Sequence, residues 1–379
     1  MDKRLYVLSS VLLIASVLAA CGGGTEGGPP SASHPASDLR VTDQREMNIA
    51  GPPGVALSPN GKWLAVSKQG DLCIYTADSL TEERCVKPEN CAVDPRFAWS
   101  PDSRRLALTE SFNHYFESDL WVLDVETGDL TNLTDDGVVA CERTGDTEPV
   151  PVDRLPAWSP DGKTLAFYRA EEGETSLYRI PVSGGTPERL VTGLYGDPLL
   201  WSDGGKLVYT PLSSSPDDGG LWIVGQDGQD LQQLAGVDSE MGPPFLMDVS
   251  VKGDKALTIY RLAGAIDLYS QANVSYCDLV DLNTGEVEPL KQSTSDETEF
   301  YGPMVATFSP DGSKVLYVYV DASEEAQLAV RDLDGGTEHV LLTLERTEGF
   351  YGHGCSLTWA ENDTIYLPGS NLLLTLGIK

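Results

Sequence analysis

Short runs of alternating apolar and polar residues, such as Leu165-Ala-Phe-Tyr and Leu120-Trp-Val-Leu-Asp-Val, recur along most of the chain, and no segment sustains a 3.6-residue period. Such alternation predicts half-buried β-strands and leaves no place for an amphipathic helix. The strands come in repeats. Phe97-Ala-Trp-Ser-Pro-Asp-Ser-Arg-Arg-Leu-Ala-Leu matches Pro156-Ala-Trp-Ser-Pro-Asp-Gly-Lys-Thr-Leu-Ala-Phe, and segments beginning at Val55 and Val305 follow the same scheme. Looser copies begin at Leu199, Met247 and Leu357. The seven copies recur roughly every 40 to 60 residues, the period of four-stranded propeller blades.

Each copy has a local physical basis. In Ser-Pro-Asp-Gly, proline presets φ at the second turn position, aspartate or asparagine suits the third, and glycine accepts a left-handed conformation at the fourth. A third strand follows after a variable connection. A Thr-Gly turn, as at Thr127-Gly128 and Thr284-Gly285, then returns the chain along a fourth.

From about residue 39 onward the repeat resembles that of the TolB-like, WD-repeat-related β-propellers. The resemblance implies an all-β, seven-bladed β-propeller of four-stranded antiparallel blades, with six blades and a decayed repeat as the alternative. It implies no particular activity, because propellers host many. The last copy supplies only three strands before Lys379, so Leu39 to Ala50 is expected to close the ring as its outer strand. Closure would leave no open sheet edge at that point. Trp99, Trp158, Trp201 and Trp359 share one slot before the turn and are expected between blades as core.

At the N-terminus, Lys3 and Arg4 precede an apolar run from Leu5 to Ala20, which reads as a signal peptide over residues 1–20. The run ends Leu18-Ala19-Ala20-Cys21, which resembles the bacterial lipobox. That resemblance implies cleavage before Cys21 and acylation of its thiol. Residues 21–38 are rich in Gly, Ser and Pro, and are expected to be a flexible tether of roughly 20–25 Å r.m.s. span. The expected location is therefore the cell envelope, with the domain facing the periplasm or exterior and meeting the membrane only through its N-terminal lipid.

Six further cysteines in an exported chain suggest disulfides. Cys73 and Cys85 centre on one hairpin turn and should face each other across neighbouring strands. Cys91, Cys141, Cys277 and Cys355 map to connections on one face, with Cys91–Cys141 the preferred pair. No Cys-x-x-Cys or His-Glu-x-x-His spacing is present, so no metal or cofactor is expected.

Charge is lopsided, with 58 acidic residues against 26 basic ones and a net charge of −32. Such a surface repels phosphate backbones and argues against nucleic acid as a partner. There is no Gly-x-Ser-x-Gly elbow. Paired carboxylates such as Asp135-Asp136 and Glu171-Glu172 read as solvated loop residues. No catalytic residue is singled out.

Aromatic residues gather in the connections that a propeller places on one face around its channel. Tyr195, Tyr301 and Tyr351 each precede glycine in an inter-blade connection, and Phe300, Phe350 and His353 accompany them. These six are the expected ligand-binding residues of an aromatic-rimmed funnel. The expected function is a binding or protein-interaction module taking a protein, small-molecule or glycan ligand. The alternative is an extracytoplasmic hydrolase or lyase acting on glycans or peptides, which requires two close, pKa-shifted carboxylates or a histidine pair in a cleft.

Overall fold

The computed structural model describes residues 34–48, 54–88, 91–111, 118–137, 151–194, 196–211, 219–237, 244–250, 254–261, 275–291, 301–320, 325–344, 357–361, 363–368 and 372–379. Seven antiparallel sheets form the blades of a β-propeller, and a 3-10 turn spans Ala36–Asp38. Blade 1 is typical, with strands Val55–Leu57, Trp63–Lys68, Asp71–Thr76 and Glu82–Val86 ordered from the channel outward. From blade 1 to blade 7, each first strand lies beside the first strand of the next blade. Seven blades stand, and the six-bladed alternative falls.

In blade 2 the first strand is split into Ala92–Val93 and Ala98–Trp99, both paired with Arg105–Ser111. Pro95 lies in the break, where the absent N–H removes a ladder bond.

Blade 7 takes its first three strands from Thr358–Trp359, Thr364–Pro368 and Leu372–Ile378. Its outermost strand is Val41–Asn48, registered antiparallel from Val41↔Ile378 to Asn48↔Leu372. Arg40 and Lys379 exchange backbone hydrogen bonds of 3.0 Å at the end of this seam. The expected tether ended at residue 38, yet Ala36 is buried against blades 6 and 7 and its N–H donates to Asp332 Oδ2 at 2.9 Å. The ordered domain thus begins a few residues earlier, because a small apolar side chain and a backbone donor find partners there.

Seven apolar clusters occupy the seven blade interfaces among the described residues. Trp99 and Trp158 sit in two of them, and each indole Nε1 donates to the first strand of the preceding blade, at Ala56 O (3.0 Å) and Ala98 O (2.9 Å).

The Ser-Pro-Asp-Gly turn is held by a bond that the tetrad's backbone geometry alone does not supply. Ser159 Oγ accepts the Thr164 N–H at 2.9 Å and donates to Asp161 Oδ1 at 2.8 Å. Ser58, Ser100 and Ser309 repeat both bonds. The fourth position has φ near +66° at Gly162, and Ser103 holds φ +60° in the same slot of blade 2. These turns and the third-to-fourth-strand turns share one end of the blades, termed here the turn face. The opposite end is the funnel end.

Cations clasp neighbouring blades along the turn face. Arg84 Nη2 donates to Glu126 O (3.0 Å), Arg105 Nη2 to Gly162 O (2.9 Å), Arg179 Nη1 to Gln226 O (2.6 Å) and Lys206 Nζ to Leu282 O (2.7 Å). Each bond joins a side chain of one blade to a turn carbonyl of the next. Charge-assisted bonds of this kind are stronger than neutral ones.

Cys73 and Cys85 are registered opposite each other and form a disulfide, with a Cα–Cα distance of 4.0 Å. Cys91 is also disulfide-bonded, while Cys141 and Cys355 lie outside the described residues. Cys277 departs from expectation. It was placed in a connection but lies within the third strand of blade 5 (Ser275–Asp281), as a buried free thiol at the interface with blade 6. Burial pushes that thiol up to about 12, so it is an inert apolar filler.

Candidate functional site

In blades 2 and 3 the two ends differ in how they hold their carboxylates. On the turn face, the Ser159 hydroxyl and the Lys163 N–H hold Asp161 below the usual carboxylate range. At the funnel end of blades 2 and 3 the direction reverses, and buried acids outnumber cations.

Glu110 lies near the end of the second strand of blade 2, Arg105–Ser111, and Asp119 immediately precedes the third, Leu120–Asp124. Both residues are 4% exposed. Trp121 Nε1 donates to Glu110 Oε2, and Asn132 Nδ2 donates to Asp119 Oδ2 at 2.7 Å. Burial, the Asp119 charge beside it and its own hydrogen bonds leave Glu110 at about 7. Burial also raises Asp119 to about 7, against the Asn132 hydrogen bond and with the charges of Asp136, Asp153 and Asp135.

The cluster extends into blade 3. Ser118 forms a parallel bridge with Val152, and the Asp153 N–H donates to Ser118 O at 2.8 Å. Asp153 is buried, and Arg169 Nε and Nη2 each reach one of its oxygens at 2.7 Å. Burial works to raise the Asp153 carboxyl and the guanidinium works against it. With both oxygens clamped, the two form an ion pair. The first two strands of blade 3, Val152–Trp158 and Thr164–Glu171, carry this pair in direct register.

A second polar group lies at the same end. Arg96 Nε and Nη2 contact Asp94 at 3.1 and 3.2 Å, while Nη1 reaches Asp197 Oδ2 of blade 4 at 3.0 Å. Asp197 stands in the first strand of that blade, Gly196–Trp201, so Arg96 ties two non-adjacent blades together at the mouth of the channel.

Carboxyls raised in this way hold a proton closer to neutrality than exposed ones do, as a general acid must. Here their oxygens are engaged by Trp121 and Asn132. Among the described residues, Cys73, Glu82 and Cys85 bring ligand atoms within 4.8 Å of one another. Both sulfurs belong to the disulfide, so that group offers no thiolate to a metal.

A model of the dipeptidyl peptidase IV N-terminal region matches residues 58–192. The uncharacterized peptidase YuxL of Bacillus subtilis is 27% identical over 252 residues, 64% of this chain. An uncharacterized protein, Atu1656 of Agrobacterium fabrum, is 28% identical over 180 residues, 46% of this chain. The aligned regions span 31% and 59% of those two relatives. Oligogalacturonate lyase in complex with manganese superposes with a TM-score of 0.62 at 10% identity, covering 91% of this chain and 99% of that one. TolB from Acinetobacter baumannii aligns at 18% identity over 79% of this chain and 65% of that one, with a TM-score of 0.47. In fold, this is a seven-bladed β-propeller. The likeness to solved structures is one of fold, so the chemistry of this propeller has to come from its own residues.

Sequence reasoning placed the propeller's ligand on six residues. Tyr195, Phe300, Phe350, Tyr351 and His353 lie outside the described residues. Tyr301 opens the first strand of blade 6, Tyr301–Phe308, with its backbone paired to Val320 at the funnel end, and its side chain is not described. The same reasoning missed Glu110, Asp119 and Asp153. The available signal was an acid directly flanking an apolar strand, as in Asp119-Leu-Trp and Leu108-Thr-Glu, at the end of the blade where connections are long.

Proposed function

We propose that this propeller is a binding or protein-interaction module of the cell envelope, anchored by lipid at Cys21, that takes its partner at the funnel end. One observation carries the binding part. The described funnel-end acids are fixed by their own blades, Glu110 by Trp121, Asp119 by Asn132 and Asp153 by Arg169. A rigid rim of this kind sets the connections above it, and loops on a rigid scaffold are the usual place of recognition. Tyr195, Phe300, Tyr301, Phe350, Tyr351 and His353 belong to those connections and are the proposed contacts for a protein, small-molecule or glycan ligand.

A hydrolase or lyase acting on glycans or peptides is the second reading. It is favoured by Glu110 and Asp119, two carboxyls of one blade that burial raises to about 7. Oligogalacturonate lyase shares the fold, and a peptidase shares part of the sequence. Two features weigh against it. Both carboxyls are almost fully buried, and a net charge of −32 repels an acidic sugar chain.

The test is capture of partners from intact cells by the native protein and by a Tyr301→Ala/Tyr351→Ala variant. Truncating two aromatic anchors should weaken capture at least about tenfold with the fold intact. Normal capture by this variant, with loss when the Ser-Pro-Asp-Gly turns are altered, would place the site on the wrong face. Turnover of a glycan or peptide that disappears in Glu110→Gln would establish the second reading instead. For the anchor, Cys21→Ser should move the protein from the membrane fraction to the soluble one.

A further inference from the structure

We infer that the turn face of the propeller is its membrane-facing surface, set against the phospholipid headgroups, and that the funnel end is presented away from the bilayer. This rests on the proposed acylation at Cys21, but its geometry comes from residues 36–48.

The N-terminal segment joins the ring at the turn face. Val41 pairs with Ile378, whose N–H donates to Asp363 O in the turn between the first two strands of blade 7. Before Val41, Arg40 is paired with Lys379, and Ala36 is bonded to Asp332, where the third strand of blade 6 enters its turn. From there the closing strand climbs toward the funnel end, reaching Leu372 at Asn48. The chain between Cys21 and Ala36 therefore departs from the turn face. A Gly/Ser-rich coil of that length spans roughly 20 Å r.m.s.. The strand Trp63–Lys68 alone rises roughly 20 Å from one face toward the other. Turning the funnel end to the bilayer would require the tether to run along the full height of the blades, near the limit of its typical reach.

Charge favours the same orientation. Basic residues follow the turns at Lys62, Arg104, Lys163, Lys206, Lys255 and Lys314. Several turn-face acids are also paired, as in Lys163–Asp161, Arg104–Glu126 and Lys314–Asp332. At the funnel end of blades 2 and 3, the charges of Asp135, Asp136 and Asp153 gather about Asp119, and Arg169 clamps Asp153. In a chain of net charge −32, the turn face is the side least repelled by anionic headgroups.

Two exposed residues at opposite ends of one strand make the test. Lys62→Cys reports the turn face and Gln69→Cys the funnel end, both in blade 1 beside the seam. Each variant carries a fluorophore and is reconstituted, acylated, into phosphatidylethanolamine/phosphatidylglycerol vesicles containing nitroxide headgroup lipid. A parallel arm holds the mature chain on nickel-chelating vesicles through hexahistidine in place of the acyl group. Severalfold stronger quenching at residue 62 than at residue 69 in both arms is the expected result. Equal or reversed quenching in the nickel-chelating arm would overturn the orientation whatever Cys21 carries. Mass spectrometry showing an unmodified Cys21 would remove the anchoring reading alone, since the second arm still reports which face leads.

Discussion

Arg169 closes on Asp153 with two 2.7 Å hydrogen bonds, Nε to Oδ1 and Nη2 to Oδ2, between registered residues of the first two strands of blade 3. The Arg169 side chain is 12% exposed and that of Asp153 1%. Removing one partner of such a pair leaves a buried charge without compensation. Arg169→Met should therefore destabilise the propeller by about 3–5 kcal/mol. The double variant Arg169→Met/Asp153→Asn should lose clearly less. Urea unfolding of both variants decides the matter, and equal losses would show that the pair is not coupled.

The pH response of the fold should carry the mark of Glu110 and Asp119. Both are raised to about 7 in the folded chain, above the usual range of an unfolded carboxyl. The folded state then binds more protons than the unfolded one across that window. Their contribution is fully present below about pH 4 and is lost as pH rises through 7. Asp161, shifted the other way, acts only below that window. Thermal unfolding should show the native midpoint falling from pH 6 to pH 8.5, with a shallower fall in Glu110→Gln/Asp119→Asn. Identical slopes would contradict the shift.

The disulfide between Cys73 and Cys85 closes a short loop, with a sequence separation of 12. Replacing both residues with alanine should cost about 2–3 kcal/mol by the chain-entropy argument. Peptide mapping without reductant should return the two cysteines in one linked fragment, and recovery of either as an alkylated thiol would end the claim.

Leu39, just ahead of the closing strand, is fully buried with Leu316, Leu328, Leu374 and Leu376 between blades 6 and 7. Leu39→Ala should lower stability by about 2–5 kcal/mol, as large-to-small changes in cores do. Removal of Leu39 to Ala50 should cost more, by exposing the ladder edge of Leu372–Ile378. A truncation that melts at the native temperature would show that the seam is dispensable.

Much of this architecture is legible in the sequence because it is local. Ser159-Pro-Asp-Gly fixes a turn within four residues, and the period-two alternation beyond it fixes which side chains face together. That suffices to place Trp158 between blades and to set Cys73 opposite Cys85. The full funnel-end cluster was not legible, because Asp153 of blade 3 joins Glu110 and Asp119 of blade 2 only across the Ser118–Val152 bridge between the two blades. Singly, each is one acid among 58. Glu171 shows the same limit. Half of an apparently solvated pair, it accepts the Tyr178 hydroxyl. The clasps of Arg84, Arg105 and Arg179 aim at backbone carbonyls, which every residue possesses, so no residue pattern marks them.

The seam between Val41 and Ile378 also dictates when the molecule can be finished. Residues 41–48 pair with residues 372–378, so this closure joins segments widely separated along the chain. Closing so long a loop is entropically slow, and folds rich in such contacts assemble late. Blades 1 to 6 can each pair their own four strands as they emerge, but blade 7 has a vacant edge until residues 41–48 return to it. Until that strand returns, the edge of blade 7 is a row of unpaired backbone groups open to proteases and to pairing with a second copy. A burst of early strand signal followed by a slow, single step in refolding would be the kinetic signature of a ring that locks only at its final stitch.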